Sequence, residues 1–499
     1  MTTGSAHVHS VITSRTIIVG AGPAGICAAA RLRMAGDRDF IVLEREDGPG
    51  GTWLTSRYPG CRCDVPARLY AYSFAPKRDW PSNYATTDEI LRYLEDTVQR
   101  FEIPHHLRLD HCLLEATWAD DSTWRLVTNR GNLSCRYLVL ATGALSHPFH
   151  PRIDGLERFD GRIMHSANWD TAQGLDAERV AVIGTGASAV QLIPAIQPKV
   201  SRLKVFQRSP GWVLPHAPKV IPAWKRRVLA RAPLLQRLLR LSTYLVRELT
   251  LVPAFTKYDG LRAALERKAL RHLREQIEDD GLRSKLTPDY KLGCKRTLLS
   301  SDFYAALSAA NTELVTEPIA RITPEGIATS DGAVHTADTI VFATGYQVHD
   351  HPIGRIVKGR SAHRLAEALD GALPHFLGTT FPYFPNLFLL GGPNTGTGHT
   401  SQLFMIESQV SYVVDALEVL GSEELVVEVL LESATAFTEE LAAKGRRSVW
   451  ESGCTSWYQN AQGRNVAIWP GYTFTFKRRT KRFDPTEYLI SDAGSGNGP

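Results

Sequence analysis

Two short glycine-rich stretches constrain this chain more than any other feature. Gly20 to Gly25 reads GAGPAG, Gly184 to Ala189 reads GTGASA, and each follows a short apolar run rich in β-branched residues, RTIIV and VAVI. A strand that ends in a glycine turn and feeds a helix offers backbone N–H groups, and the positive end of that helix, to a phosphate. After the first copy a helix is expected over Pro23 to Met34 and a strand over Phe40 to Leu43. That strand ends at Glu44, where a carboxylate usually grips a ribose hydroxyl. After the second copy the strand Leu203 to Phe206 runs into Gln207, Arg208 and Ser209. A guanidinium in place of the carboxylate exchanges the ribose hydroxyl for a 2′-phosphate, so the second nucleotide is expected to be NADP. The expected fold is α/β, with two Rossmann-like dinucleotide-binding domains and a helical insertion.

Repetition fixes the order of the segments. Tyr137 to Gly143 (YLVLATG) and Thr339 to Gly345 (TIVFATG) have the same form, a buried strand that closes each nucleotide unit. A further strand, Asn386 to Leu390, meets the turn GGPNTGTGH and then a helix, where the chain is expected to cross back into the first domain. The expected segments are a flexible N-terminus (1–14), a first part of the first nucleotide domain (15–150), a linker (151–170) and a first NADP part (171–214). A helical insertion (215–285), a second NADP part (286–346), a completion of the first nucleotide domain (347–490) and a disordered tail (491–499) follow. Within the first part, Thr87 to Glu102 has helical spacing, with Ile90, Leu91, Leu94, Val98 and Phe101 on one face. Leu107 to Val139 alternates like a small antiparallel meander.

Composition excludes several functions. At 499 residues the chain is long enough for two or three cored domains. Its net charge of +5 is small, and the basic residues are spread out apart from Lys225 to Arg227 and Lys477 to Arg482, which argues against nucleic acid as a partner. Seven cysteines, an odd number, do not suggest a disulfide framework, and a reducing, cytoplasmic setting is expected. Met1 to Ser14 has neither the basic nor the apolar region of a signal peptide. No apolar run approaches the roughly 20 residues that span a bilayer. Ala223 to Phe255 mixes leucines with arginines, and an amphipathic helix pair packed over the protein's own pocket is expected there rather than a membrane-surface helix. Cys61 and Cys63 are one residue apart, too close for the redox pair of a disulfide reductase.

Three stretches together resemble one family. FDGRIMHSANWD carries Phe159, Gly161, His165, Trp169 and Asp170 at the fixed positions of the type I Baeyer-Villiger monooxygenase fingerprint. GGTWLTSRYPGCRCD, with Gly51, Trp53, Tyr58, Pro59, Gly60 and Asp64, is similar to that family's second signature. GCKRTLLSSDFYAAL resembles the segment with its active-site Lys-Arg pair, here Lys295 and Arg296, and Ser456 to Phe474 is also similar to members of the family. The N- and S-oxygenating relatives usually lack the Trp and the Pro or Asp after it.

The resemblance implies FAD and NADPH as cofactors, a small ketone and O2 as substrates, and an ester or lactone made by way of a C4a-peroxide of the flavin. It places Gly20, Gly22, Gly25 and Glu44 at the FAD pyrophosphate and ribose, and Thr52, Trp53, Asp64, Tyr70, Leu113 and Gln402 along the flavin. Gly184, Thr185, Gly186, Ser188 and Gln191 would bound the NADP pyrophosphate; Arg208, Ser209 and Lys295 would meet its 2′-phosphate, and Trp457 its nicotinamide end. Arg296, oriented by Asp64, would be the catalytic cation, and His165 a hinge between domains. No metal site is expected. Heteroatom oxygenation, and plain NADPH oxidoreduction without oxygen insertion, remain the alternative readings.

Overall fold

The computed structural model describes residues 12–216, 218–348, 350–421 and 425–492. Two mainly parallel sheets organise it. The first strand, β1 (Ile12–Val19), enters the turn at Gly20 and continues as helix α1 (Pro23–Met34). Proline at the first helical position fixes a helical φ where no N–H bond is needed, and the alanines that follow are buried. β2 (Phe40–Leu43) returns beside β1 in parallel register, and β3 (Leu107–Arg108) extends that edge. Helix α3 (Thr87–Arg100) packs beneath, after the single turn α2 (Thr52–Thr55). A capping box starts α3: Thr86 accepts from the Glu89 N–H, and the Glu89 carboxylate accepts from the Thr86 N–H at 3.0 Å.

The antiparallel meander consists of β4 (Leu113–Trp118), β5 (Trp124–Thr128) and β6 (Gly131–Leu140). It is shorter than the sequence pattern predicts, because Leu107–Arg108 pairs in parallel with β2 instead. β6 is shared: its first half pairs with β5, and its second half lies between β1 and the strand Leu387–Leu389. That last pairing is the expected return of the chain to the first sheet.

The second sheet is parallel throughout, in the order Thr312–Val315, β9 (Arg202–Phe206), β8 (Arg179–Ile183), Thr339–Phe342, β7 (Arg162–His165). β7 lies inside the stretch expected to be a linker, so the fingerprint is an edge strand of this sheet. Gly161 enters it where a Cβ would fall 2.4 Å from the Asp338 carbonyl oxygen.

Four further expectations change. β1 begins at Ile12, inside the segment expected to be flexible; residues 1–11 lie outside the described residues. Ser491 and Asp492 belong to a strand paired with Leu425–Val429, while 493–499 lie outside the described residues. Cys294 and Cys454 form a disulfide across 160 residues, so the cysteine argument for a reducing compartment fails for this pair.

The helical insertion is the fourth. It is built of α5 (Ala223–Arg231), α6 (Pro233–Thr256), α7 (Asp259–Gln276) and α8 (Asp280–Lys285). The leucine face of α6 does not pack over the protein's own pocket. Leu234, Leu238, Leu241, Leu245 and Leu249 are exposed, and the side facing the protein is mixed, with Tyr244, Val252 and Phe255 packed beside Gln236, Arg240 and Arg247.

Candidate active site

The first glycine turn is closed around its own backbone. Gly20 has φ +103°, and a Cβ there would meet the Ala141 carbonyl oxygen at 2.6 Å; one on Gly25 would lie 1.8 Å from the Gly20 oxygen. Gly22 faces Gly51 so closely that a Cβ on Gly51 would be 2.8 Å from the Gly22 Cα. Glu44 is buried at the end of β2, where its carboxylate accepts from the Ala21 N–H at 2.6 Å and the Glu46 N–H at 3.0 Å. Burial outweighs those bonds and raises its pKa. Beside this turn the Trp53 indole donates to the Tyr70 hydroxyl at 2.9 Å, and the Thr52 hydroxyl donates to the Leu145 carbonyl at 3.1 Å. Leu113 opens β4 and is buried. Gln402 opens the helix Gln402–Val419 and donates to the Thr395 carbonyl at 3.0 Å.

The second turn is more open. Gly184 has φ +112° against the Ala343 oxygen, but a Cβ on Gly186 would meet nothing within 4 Å. Thr185 donates to the Ser209 carbonyl at 3.4 Å, and Ser188 precedes α4 (Ala189–Ile196). Arg208 is exposed, and the Lys295 ammonium donates to the Ser209 hydroxyl at 3.0 Å. Burial and the nearby Arg208 charge lower the Lys295 pKa. Among the described residues neither cation has an ion-pair partner. Two cations and a hydroxyl fit a dianionic phosphate.

Gln191, expected to bound the pyrophosphate site, is bonded within the protein. Its amide oxygen accepts from the Tyr58 hydroxyl at 2.9 Å and the Arg62 N–H at 3.2 Å, and its amide nitrogen donates to the Arg62 carbonyl at 3.1 Å. These bonds tie α4 to the Gly- and Pro-rich loop that runs from the first turn.

That loop delivers Asp64 to Arg296. The guanidinium donates from Nε at 2.9 Å and from NH2 at 2.5 Å, both to Asp64 Oδ2. The pair is half-buried, with side-chain exposures of 31% for Arg296 and 24% for Asp64. The Asp64 charge raises the Arg296 pKa against the opposing effect of burial, so this cation persists at every working pH.

Two groups that the sequence reading did not single out complete the site. Tyr458, fully buried, lies beside the Arg296 guanidinium, while its neighbour Trp457 is exposed and packs edge-on to it at 4.4 Å. The disulfide explains this placement: Cys294 precedes Lys295–Arg296, Cys454 precedes Trp457–Tyr458, and the bridge joins the two segments. Arg247 reaches in from α6 and donates to the His399 carbonyl at 2.5 Å. Burial lowers its pKa, and Tyr84 and Asp64 partly restore it.

The fingerprint side chains gather elsewhere. His165 is buried at the end of β7, with Nδ1 accepting from the Ala167 N–H at 3.0 Å and Nε2 3.3 Å from the Thr344 hydroxyl. Burial pushes its pKa down to about 4, and His150, whose ring centroid is 4.9 Å away, adds to this. Phe159 is buried under the second sheet, Trp169 packs on the α4 core, and Asp170 closes a local turn to Ala172. None of the hydrogen bonds of His165 reaches Asp64 or Arg296.

Comparison with known proteins decides the family. Residues 17–232 match the family described as pyridine nucleotide-disulphide oxidoreductase. A Baeyer-Villiger monooxygenase of Streptomyces coelicolor is 42% identical over 481 residues, covering 95% of this chain and 92% of its own. Another, from Pseudomonas aeruginosa, is 41% identical over 483 residues, covering 96% and 91%. This chain belongs to the Baeyer-Villiger monooxygenase family. A structure of cyclohexanone monooxygenase from Rhodococcus sp. Phi1 bound to NADP+ superposes with a TM-score of 0.85 at 26% identity, covering 97% of this chain and 100% of the other.

Within this Baeyer-Villiger monooxygenase, Asp64, Arg296 and Tyr458 form one polar cluster, and Arg208, Ser209 and Lys295 a second. Lys295 and Arg296 are consecutive, so one short segment supplies a cation to each. Trp457 packs on Tyr458. Nothing in the sequence alone marked Tyr458 or Arg247 as members of this site.

Proposed function

We propose that this Baeyer-Villiger monooxygenase binds FAD at the first glycine turn and NADPH at the second, and converts a ketone to an ester or lactone. In the balanced reaction a ketone, O2, NADPH and a proton give the ester, NADP+ and water. One oxygen atom enters beside the carbonyl carbon and the other leaves as water.

The glycines at 20, 22 and 25 with Glu44 would hold the FAD pyrophosphate and ribose, with Thr52, Trp53, Tyr70, Leu113 and Gln402 alongside. The turn at Gly184 to Ser188, with Gln191 behind it, would take the NADP pyrophosphate; Arg208, Ser209 and Lys295 would take the 2′-phosphate, and Trp457 the nicotinamide end. When bound, NADPH supplies two electrons and FAD supplies the activation of O2.

The observation that carries the reading is a permanent cation fixed by its own carboxylate. Arg296 can hold negative charge on oxygen before and after that oxygen adds to the ketone carbonyl. Asp64 fixes the plane of the guanidinium through two bonds to one oxygen, which leaves other N–H groups free for the reacting atoms. Tyr458, buried beside it, keeps water from one flank of the cation.

The test is turnover of a simple ketone under isotopically labelled O2. An ester with one labelled oxygen atom is expected. Sulfoxide from a thioether, with no ester from any ketone, would overturn the reading in favour of heteroatom oxygenation.

A further inference from the structure

Helix α6 leaves a row of leucines in solvent although its other side is packed on the protein. Leu234, Leu238, Leu241, Leu245 and Leu249 recur at helical spacing on one side and stand in solvent, Leu234 at 72%, Leu238 at 64% and Leu249 at 58% exposure. On the opposite side Tyr244, Val252 and Phe255 pack against the body of the protein, and four polar residues bond to it. Gln236 donates to the Lys77 carbonyl at 3.1 Å, Arg240 to the Ala71 carbonyl at 2.8 Å and Arg247 to the His399 carbonyl at 2.5 Å. Glu248, fully buried, accepts from His399 at 2.8 Å and from Thr473. The orientation is therefore fixed from the inside, and the leucines are left outward. Before α6, the short helix α5 carries two more exposed apolar side chains, Trp224 at 62% and Val228 at 49%. So many exposed large apolar side chains on two successive helices mark an interaction site.

Charge identifies the occupant. Between residues 223 and 256 the one acidic residue is Glu248, which is buried, while Lys225, Arg227, Arg231 and Arg237 are all exposed. A second copy of this chain would set like charges against like charges on such a surface. An anionic lipid headgroup layer would neutralise them, while leucines and a tryptophan sink to the acyl boundary. Among the described residues no helix is long and apolar enough to cross a membrane, so the contact is one of lying on the surface.

We propose that the α5–α6 face docks in the plane of an anionic lipid bilayer. Arg247, on the inner side of the same helix, faces Asp64 and Arg296 through its field, so the docked face and the polar cluster share one element.

The test is co-sedimentation of the full chain with vesicles of phosphatidylcholine mixed with phosphatidylglycerol, and with vesicles of phosphatidylcholine alone. Binding at least about tenfold stronger to the anionic vesicles, reversed by salt, is expected. Leu234→Ser, Leu238→Ser and Leu241→Ser combined should lower that binding about tenfold or more. The charge variant Lys225→Glu with Arg227→Glu and Arg231→Glu should abolish the preference for anionic lipid. All these positions are exposed, and an unchanged far-UV circular dichroism spectrum verifies the fold of each variant. Absence of binding to either vesicle overturns the proposal, as does equal, salt-insensitive binding to both. A dimer in solution that the leucine variant dissociates, without vesicle binding, would assign the face to a second copy and overturn it as well.

Discussion

The two glycine turns share a plan and differ in how tightly they close. In the first, Gly25 leaves no room for a Cβ beside the Gly20 oxygen, and a second loop presses Gly51 onto Gly22. In the second, the place of Gly25 is taken by Ala189, whose side chain is buried without strain on the turn, and Gly186 faces open space. The strand ends differ in the same sense: Glu44 is buried and bonded to backbone N–H groups, while Arg208 is exposed beside Lys295. One recurrent backbone device thus becomes a closed seat or an open one through a single methyl group and the charge at the end of a strand. A closed seat suits a cofactor that stays, and an open one a cofactor that exchanges at each turnover.

Gly25→Ala should break the first seat. With a Cβ 1.8 Å from a carbonyl oxygen the turn has to shift, and the purified variant is expected to lose its flavin, read from visible absorbance against protein concentration. Full flavin content in that variant would erase the distinction between the two turns. Next in size, Arg208→Ala should raise KM for NADPH about tenfold or more, since a hydrogen bond to a charged group is worth about 1.5–3 kcal/mol. KM for NADH should stay as it was; an unchanged preference for NADPH would contradict the phosphate assignment.

Smaller still is acid sensitivity. Burial pushes His165, at the edge of the second sheet, down to about 4, and does the same for His375, which lies 3.2 Å from Asn394. Unfolded, each titrates near about 6.5. The native state therefore binds fewer protons than the unfolded one between these values, so stability is full above about pH 6.5 and falls as pH drops towards about 4. Thermal melts should show a smaller acid-induced fall in Tm for His165→Gln than for the parent chain. At the small end, Ala189→Gly should cost no more than about 1 kcal/mol of stability, the helix-propensity difference, and leave flavin content unchanged.

Local chemistry made much of this legible in the sequence. Helix α1 begins and ends as expected because proline, alanine and a basic last turn all favour it, and β2 is bounded by its apolar run. The Asp64–Arg296 meeting was anticipated only through family resemblance, since 232 residues separate the two. β7 escaped notice because a four-residue edge strand takes its register from Thr339–Phe342 rather than from its own pattern. Amphipathic spacing gave α6 two faces but not which one turns inward; Glu248, His399 and Thr473 decide that through tertiary bonds. The same holds for Cys294 and Cys454, whose pairing depends on the return of a distant segment, and for Tyr458, which that bridge brings to Arg296.

The central claim is that a guanidinium held by Asp64 is what turns oxygen consumption into oxygen insertion. The direct measurement is ester and hydrogen peroxide formed per NADPH consumed by Arg296→Ala, with a ketone the parent enzyme accepts. Continued NADPH consumption, hydrogen peroxide in place of ester and an ester yield lower by about 100-fold or more are predicted. Ester formation at the parent yield would contradict it.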